Sequence, residues 1–115
     1  MEIKVVRDAI LRDELTEMAK EQFGDLVKAV VDVERGIMAI GGELHSDGEA
    51  VLLDQDSGQR HLWGINLYPH KPLEEWIEFD SMINVRPSHG NRSRDVENPE
   101  IRDTITKIVN RLVRG

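Results

Sequence analysis

Apolar positions change their period several times along the chain, and each change marks an element. Ile3 to Val6 alternates with charge, the two-residue period of a short first strand. Leu11, Leu15, Met18, Ala19 and Phe23 then recur at helical spacing, and Gly24 stands where a glycine past the last turn ends a helix. Val27, Ala29, Val31 and Val33 share one face of a second strand. Glu34-Arg35-Gly36 predicts a turn, and Ile37 to Gly42 runs back as the partner strand.

Ser46-Asp47-Gly48-Glu49 fits a capping box, with Ser46 as N-cap, and predicts a short helix through Ala50 to Leu53, closed by Gln55-Asp56-Ser57-Gly58. HLWGINLY, residues 61 to 68, reads as a strand ending at Pro69. A long strand is expected from Trp76 to Arg86, stopped by Pro87. Asn98-Pro99-Glu100 is a helix start, Asn98 at N-cap and Pro99 at the first helical position. Ile101, Ile105, Ile108 and Leu112 follow as one apolar stripe. The order is β-α-β-β-(short α)-β-β-α. Short turns between strands predict an α+β fold, a mainly antiparallel or mixed sheet with helices packed mainly on one face. No repeat or linker divides the chain, so residues 1–115 are expected to form a single globular domain.

Composition narrows the chemistry. A chain of 115 residues can bury roughly two-thirds of its unfolded surface without staples. The absence of cysteine excludes a disulfide, a thiolate metal site and a thiol nucleophile. The charged opening MEIKVVRDAI carries no apolar run of a secretion signal, and no segment approaches the length of a membrane helix, so a cytoplasmic location without membrane contact is expected. A net charge of −7 argues against nucleic acid as a partner, because counterion release needs several cations on one face. No motif asks for a cofactor.

Against that acidic background one stretch differs. From Ser81 through Arg94 there are three arginines and no acid. Taken by parity, Ile77, Phe79, Ser81, Ile83 and Val85 should face the core, and Trp76, Glu78, Asp80, Met82, Asn84 and Arg86 the other side. Arginine suits planar, bidentate recognition of carboxylate or phosphate. Arg86, Arg92 and Arg94 are therefore expected to hold an anionic small molecule, with Asn84, Ser88 and Asn91 orienting it. Glu78 and Asp80, two carboxylates on one strand face, are the candidates for acid–base work if chemistry occurs; nothing in the sequence decides whether the protein is an enzyme. The same arginines could instead pair with Glu78, Asp80, Asp95 and Glu97 and pin the loop. An alternative of another class is an interaction module, a homodimer or partner-binding protein that uses the loop as its interface.

Other constellations carry less. Glu43, His45, Asp47 and Glu49 alternate like metal ligands, but the capping box would turn the last two into a helix's first turn, and no spaced ligand motif such as HExxH appears, so no metal is expected. Ser88-His89 lacks the elbow of a nucleophile, and Gly41-Gly42 lacks a phosphate-binding context.

The blocks AVVDVERGIMAIGGELHSDGE, LWGINLYP and EFDSMINVRPSHGNRSR, followed by PEIR, resemble a family of short prokaryotic proteins classified only as a domain of unknown function. The resemblance covers nearly the whole chain. It implies a stand-alone cytosolic domain of bacteria or archaea, and brings no activity, cofactor or site residue.

Overall fold

The computed structural model describes residues 2–115. Along the chain lie β1 (Lys4–Val6), β2 (Ile10–Leu11), α1 (Arg12–Glu21), β3 (Val27–Asp32), β4 (Ile37–Ile40), α2 (His45–Asp54), β5 (Leu62–Leu67), β6 (Ile77–Glu78), α3 (Pro99–Leu112) and β7 (Val113–Arg114), with short 3-10 turns at Gln59–His61, Met82–Asn84 and Pro87–His89. Five strands form one sheet in the order β1-β4-β3-β5-β6, and every neighbouring pair is antiparallel. β2 and β7 pair separately, in parallel. The architecture is α+β, and no helix among the described residues is long and apolar enough to cross a membrane.

The central strands β3 and β5 are mostly apolar on both faces because both faces are covered. On one side Val27, Ala29 and Val31 pack with Leu15 and Ala19 of α1 and with Ile105, Ile108, Val109 and Leu112 of α3. On the other side Val30, Ala39 and Leu62 pack with Leu52 of α2. Gly48 permits that second layer: a Cβ there would lie 3.1 Å from Val30 and 3.5 Å from Ala39, so the helix rests directly on the sheet. The apolar stripes of α1 and α3 therefore share one face, and α2 alone takes the other.

The hairpin β3–β4 forms where the pattern places it. The Asp32 carboxylate is fully buried and accepts from the Glu34 and Arg35 amides at 2.9 and 3.0 Å and from the Ser57 hydroxyl at 2.6 Å. Gly36 follows at φ +67°. The start of α3 is also as expected, with the Asn98 side chain accepting from the Glu100 and Ile101 amides and Pro99 in the first turn. Gly24, at φ +92°, ends α1 by donating to the Ala19 carbonyl at 2.6 Å.

Four expectations are corrected. Leu11 and Phe23 stand outside α1 and are exposed, because the helix runs only from Arg12 to Glu21. α2 begins at His45, not after Ser46, and the acid that closes its first turn is Asp47, which accepts from the Leu44 amide at 3.1 Å, not Glu49. The strand expected over Trp76 to Arg86 is only Ile77–Glu78, since the chain then leaves β5 and satisfies it with side chains. With the strand gone, its parity fails. Trp76 is 1% exposed in the main core, while Ile83 packs on the α2 side of the sheet.

Candidate functional site

The stretch from Asp80 to Glu97 has two different jobs. Most of it folds against itself and against β5. The Asn84 side chain is fully buried: its Oδ1 accepts from the Gly64 amide at 2.8 Å, and its Nδ2 donates to the Gly64 and Arg94 carbonyls at 3.0 and 2.9 Å. The Asn91 amide, also buried, donates to the carbonyls of Asn84, Ser93 and Asp95 and accepts from the Glu97 amide. Glu97 closes the loop tip, taking the Arg92 and Ser93 amides and the Ser93 hydroxyl on one carboxylate oxygen. Those bonds, the Ser93 hydroxyl first, hold its pKa below the usual carboxylate value.

Arg86 belongs to the same scaffold. Its guanidinium lies 4.5 Å over the Trp63 ring and donates to the carbonyls of Ile83, Gln59 and Leu62. Burial pulls its pKa below the ordinary arginine value, against the opposing charge of Glu49. Ser88 and Arg92 are exposed, and their side chains make no hydrogen bond to the described residues. Glu78 accepts from the Asn66 amide at 2.8 Å and the Tyr68 hydroxyl at 3.1 Å. Burial first, then that carboxylate, raise the Tyr68 pKa.

The other job falls to Asp80 and Arg94. They pair at 2.6 Å beside a cleft of about 310 Å³ on the α2 side of the sheet. The remaining polar wall comes from Lys28, His45, Ser46, Asn66 and Ser81. Lys28 and Asn66 face each other in register across β3 and β5, on the α2 face of the sheet. The Asn66 residue is 7% exposed, and its Oδ1 has no partner among the described residues. Lys28 makes no ion pair there; its Nζ lies 5.0 Å from the Phe23 ring centre.

His45 opens α2 from within this wall. Its Nε2 lies 2.8 Å from the Ile65 carbonyl, and a carbonyl only accepts, so Nε2 carries the proton and Nδ1 is left with a lone pair. Burial is the largest influence and lowers the His45 pKa from its ordinary 6.5; the charge on Lys28 acts the same way, while the Ile65 and Asn66 contacts and Asp80 oppose it. The imidazole is therefore neutral at neutral pH. Electrostatically, Asp80 and Arg94 offset each other, and Lys28 together with the positive end of the α2 dipole leaves a positive cleft.

Of the residues that the sequence pattern singles out, Asp80 and Arg94 meet at this cleft; Asn84, Arg86, Ser88, Asn91 and Arg92 do not line it. Lys28 and Asn66 escape the sequence reading, Ser46 enters it only as a helix cap, and His45 only in a metal-ligand pattern that is set aside. The signal available for Lys28 and Asn66 was a single polar residue breaking an otherwise apolar run, LVKAVV and LWGINL. Among the described residues no group of three or more His, Asp or Glu side chains is arranged to hold a metal ion.

A family model described as a protein of unknown function matches residues 4–112. No curated protein and no solved structure matches the chain.

Proposed function

This chain belongs to the DUF5674 family, proteins of unknown function, and for it we propose a binding function: the cleft between α2 and the Asp80–Arg94 pair takes a small anion, a carboxylate or phosphate, that also carries a hydroxyl or amine hydrogen. One observation carries this reading. The Asn66 carbonyl oxygen is buried without a donor beside Lys28, Arg94 and the start of α2, three features that favour negative charge. A ligand hydroxyl or amine would supply the missing donor, and its anionic group would lie near Lys28. Asp80 positions Arg94 by taking its Nε–H, which leaves the outer guanidinium nitrogens for the ligand. Any proton transfer on the bound molecule falls to His45 Nδ1. The absence of cysteine suits a cytoplasmic protein.

Calorimetric titration with glycolate, malate and inorganic phosphate tests the reading. Binding to the wild type, weakened at least tenfold in Lys28→Ala with no change in melting temperature, is the expected result. No heat with any of these anions overturns it.

A second reading, a contact between subunits or with a partner protein, draws on the rim of the same cleft. Leu44 and Met82 line it and are 58% and 66% exposed, which is unusual for side chains of their size. Light scattering decides: a mass of twice 13.1 kDa that falls to one chain in Met82→Glu supports it, and a monomeric wild type removes the homodimer.

A further inference from the structure

A second cleft, of about 790 Å³, lies on a different part of the molecule, between the Pro69–Leu73 loop, α3 and β7. Its charge is unlike the rest of the chain. Arg12, His70 and Lys71 line it and no aspartate or glutamate does, in a protein of net charge −7. Arg12 is held rigidly: Nε and Nη2 donate to the Pro69 and Lys71 carbonyls, each at 2.7 Å, and the guanidinium lies 4.4 Å over the Trp76 ring. Its Nη1 has no partner among the described residues. Trp76 forms part of the wall, is 1% exposed, and its indole N–H is buried without an acceptor. A buried donor left unpaired costs free energy that an incoming acceptor recovers. Asn110 and Gly115 also line the cleft, and the rest of the wall is apolar. Leu73 stands at the rim 65% exposed, with Pro69, Pro72 and Val113 beside it.

We propose that this cleft binds a small organic carboxylate with an apolar body. The carboxylate meets the free edge of Arg12 and the Lys71 ammonium, with one oxygen accepting from the Trp76 indole N–H after a small shift of the ring or its cover. The apolar body lies on Leu73 and the prolines. Such a cleft has the size and the division of labour of a small-molecule site, mostly apolar wall with a few convergent polar groups. Fixed cations in a low-dielectric wall also concentrate anions locally, whatever the net charge of the whole.

The two tryptophans allow a direct test. In a Trp63→Phe variant Trp76 is the only indole, so its emission reports on this cleft. Titration with hexanoate is expected to give a saturable change, and acetate (the charge without the body) or 1-hexanol (the body without the charge) should need at least tenfold higher concentration. Lys71→Ala and Leu73→Ala, which leave the Arg12 bonds intact, should each weaken hexanoate three- to tenfold, whereas Lys28→Ala in the other cleft should not. If Trp63→Phe does not fold, calorimetry of hexanoate with the wild type and the same variants reads the same comparison. No saturable response to hexanoate, equal responses to hexanoate and hexanol, or indifference to both Lys71→Ala and Leu73→Ala would overturn the proposal.

Discussion

Asn84 bonds Gly64 as a neighbouring strand would, accepting from its amide at 2.8 Å and donating to its carbonyl at 3.0 Å. One side chain thus completes the β5 ladder where β6 has already ended at Glu78. Replacing Asn84 by alanine strands both Gly64 backbone groups in a buried setting. Each unsatisfied group costs about 1–3 kcal/mol, so a loss of about 2–6 kcal/mol is expected for Asn84→Ala. Asn84→Asp keeps the shape and the acceptor but points a carboxylate at the Gly64 and Arg94 carbonyls; it should destabilise comparably at neutral pH. Urea denaturation of the two variants checks this.

Gly64 is confined from its open side as well. A Cβ there would lie 2.5 Å from the Ser81 Cβ and 3.1 Å from the His45 ring. Both obstacles are anchored, Ser81 by its amide on the Arg94 carbonyl and His45 by the Ile65 carbonyl, so neither can simply step aside. Gly64→Ala is expected to cost about 1–3 kcal/mol as an overpacked core site does. Because the wall that moves belongs to the cleft, anion binding should weaken in the same variant, measured by calorimetry beside the melting temperature.

The pair Asn84–Gly64 also explains which parts of the molecule are legible in the sequence. The α3 cap, the β3–β4 hairpin and the α3 stripe rest on local signals, an N-cap asparagine before proline and periods of two and 3.6, and these are read directly from residue spacing. The end of β6 is set instead by a side chain six residues past the strand that binds a glycine on another strand, which no local period records. The same holds for the cleft. Arg94 and Asp80 stand out as charges near one another in sequence, whereas Lys28, His45 and Asn66 converge only through the register of β3 with β5 and the placement of α2. Arginine content, conspicuous in the sequence, does not separate a guanidinium spent on carbonyls from one left beside a cleft.

Arg86 and Arg92 make that difference measurable. Arg86 caps three carbonyls and covers Trp63, so Arg86→Ala removes bonds and packing together and should cost about 2–4 kcal/mol. Arg92 is exposed and bonded only through its backbone amide, so Arg92→Ala should change stability by less than about 0.5 kcal/mol. Neither lines the cleft, and phosphate affinity of the folded Arg92→Ala protein should equal that of the wild type. Thermal denaturation and titration of the two variants test both halves; a tenfold loss of phosphate affinity in Arg92→Ala would return the site to the loop tip.

His45 couples the cleft to pH, and the direction follows from its burial. In the unfolded chain the imidazole takes a proton near its ordinary pKa of 6.5; in the folded protein burial lowers that value. Between the two values the unfolded state binds more protons, so the stability that His45 contributes is complete above about pH 7 and is lost as pH falls through 6.5 toward the folded-state value. Each unit of separation is worth about 1.4 kcal/mol. His45→Gln keeps a donor for the Ile65 carbonyl and removes the titration, so the wild type should lose stability relative to this variant on going from pH 7.5 to pH 5.5. Binding adds a second readout of opposite sign. An anion in the cleft favours the imidazolium, so affinity for glycolate, whose carboxylate does not itself titrate in this range, should rise in the wild type as pH falls and stay level in His45→Gln. Urea denaturation and glycolate titration at the two pH values check the pair of slopes; equal pH dependence in both proteins would show that His45 does not face the bound anion.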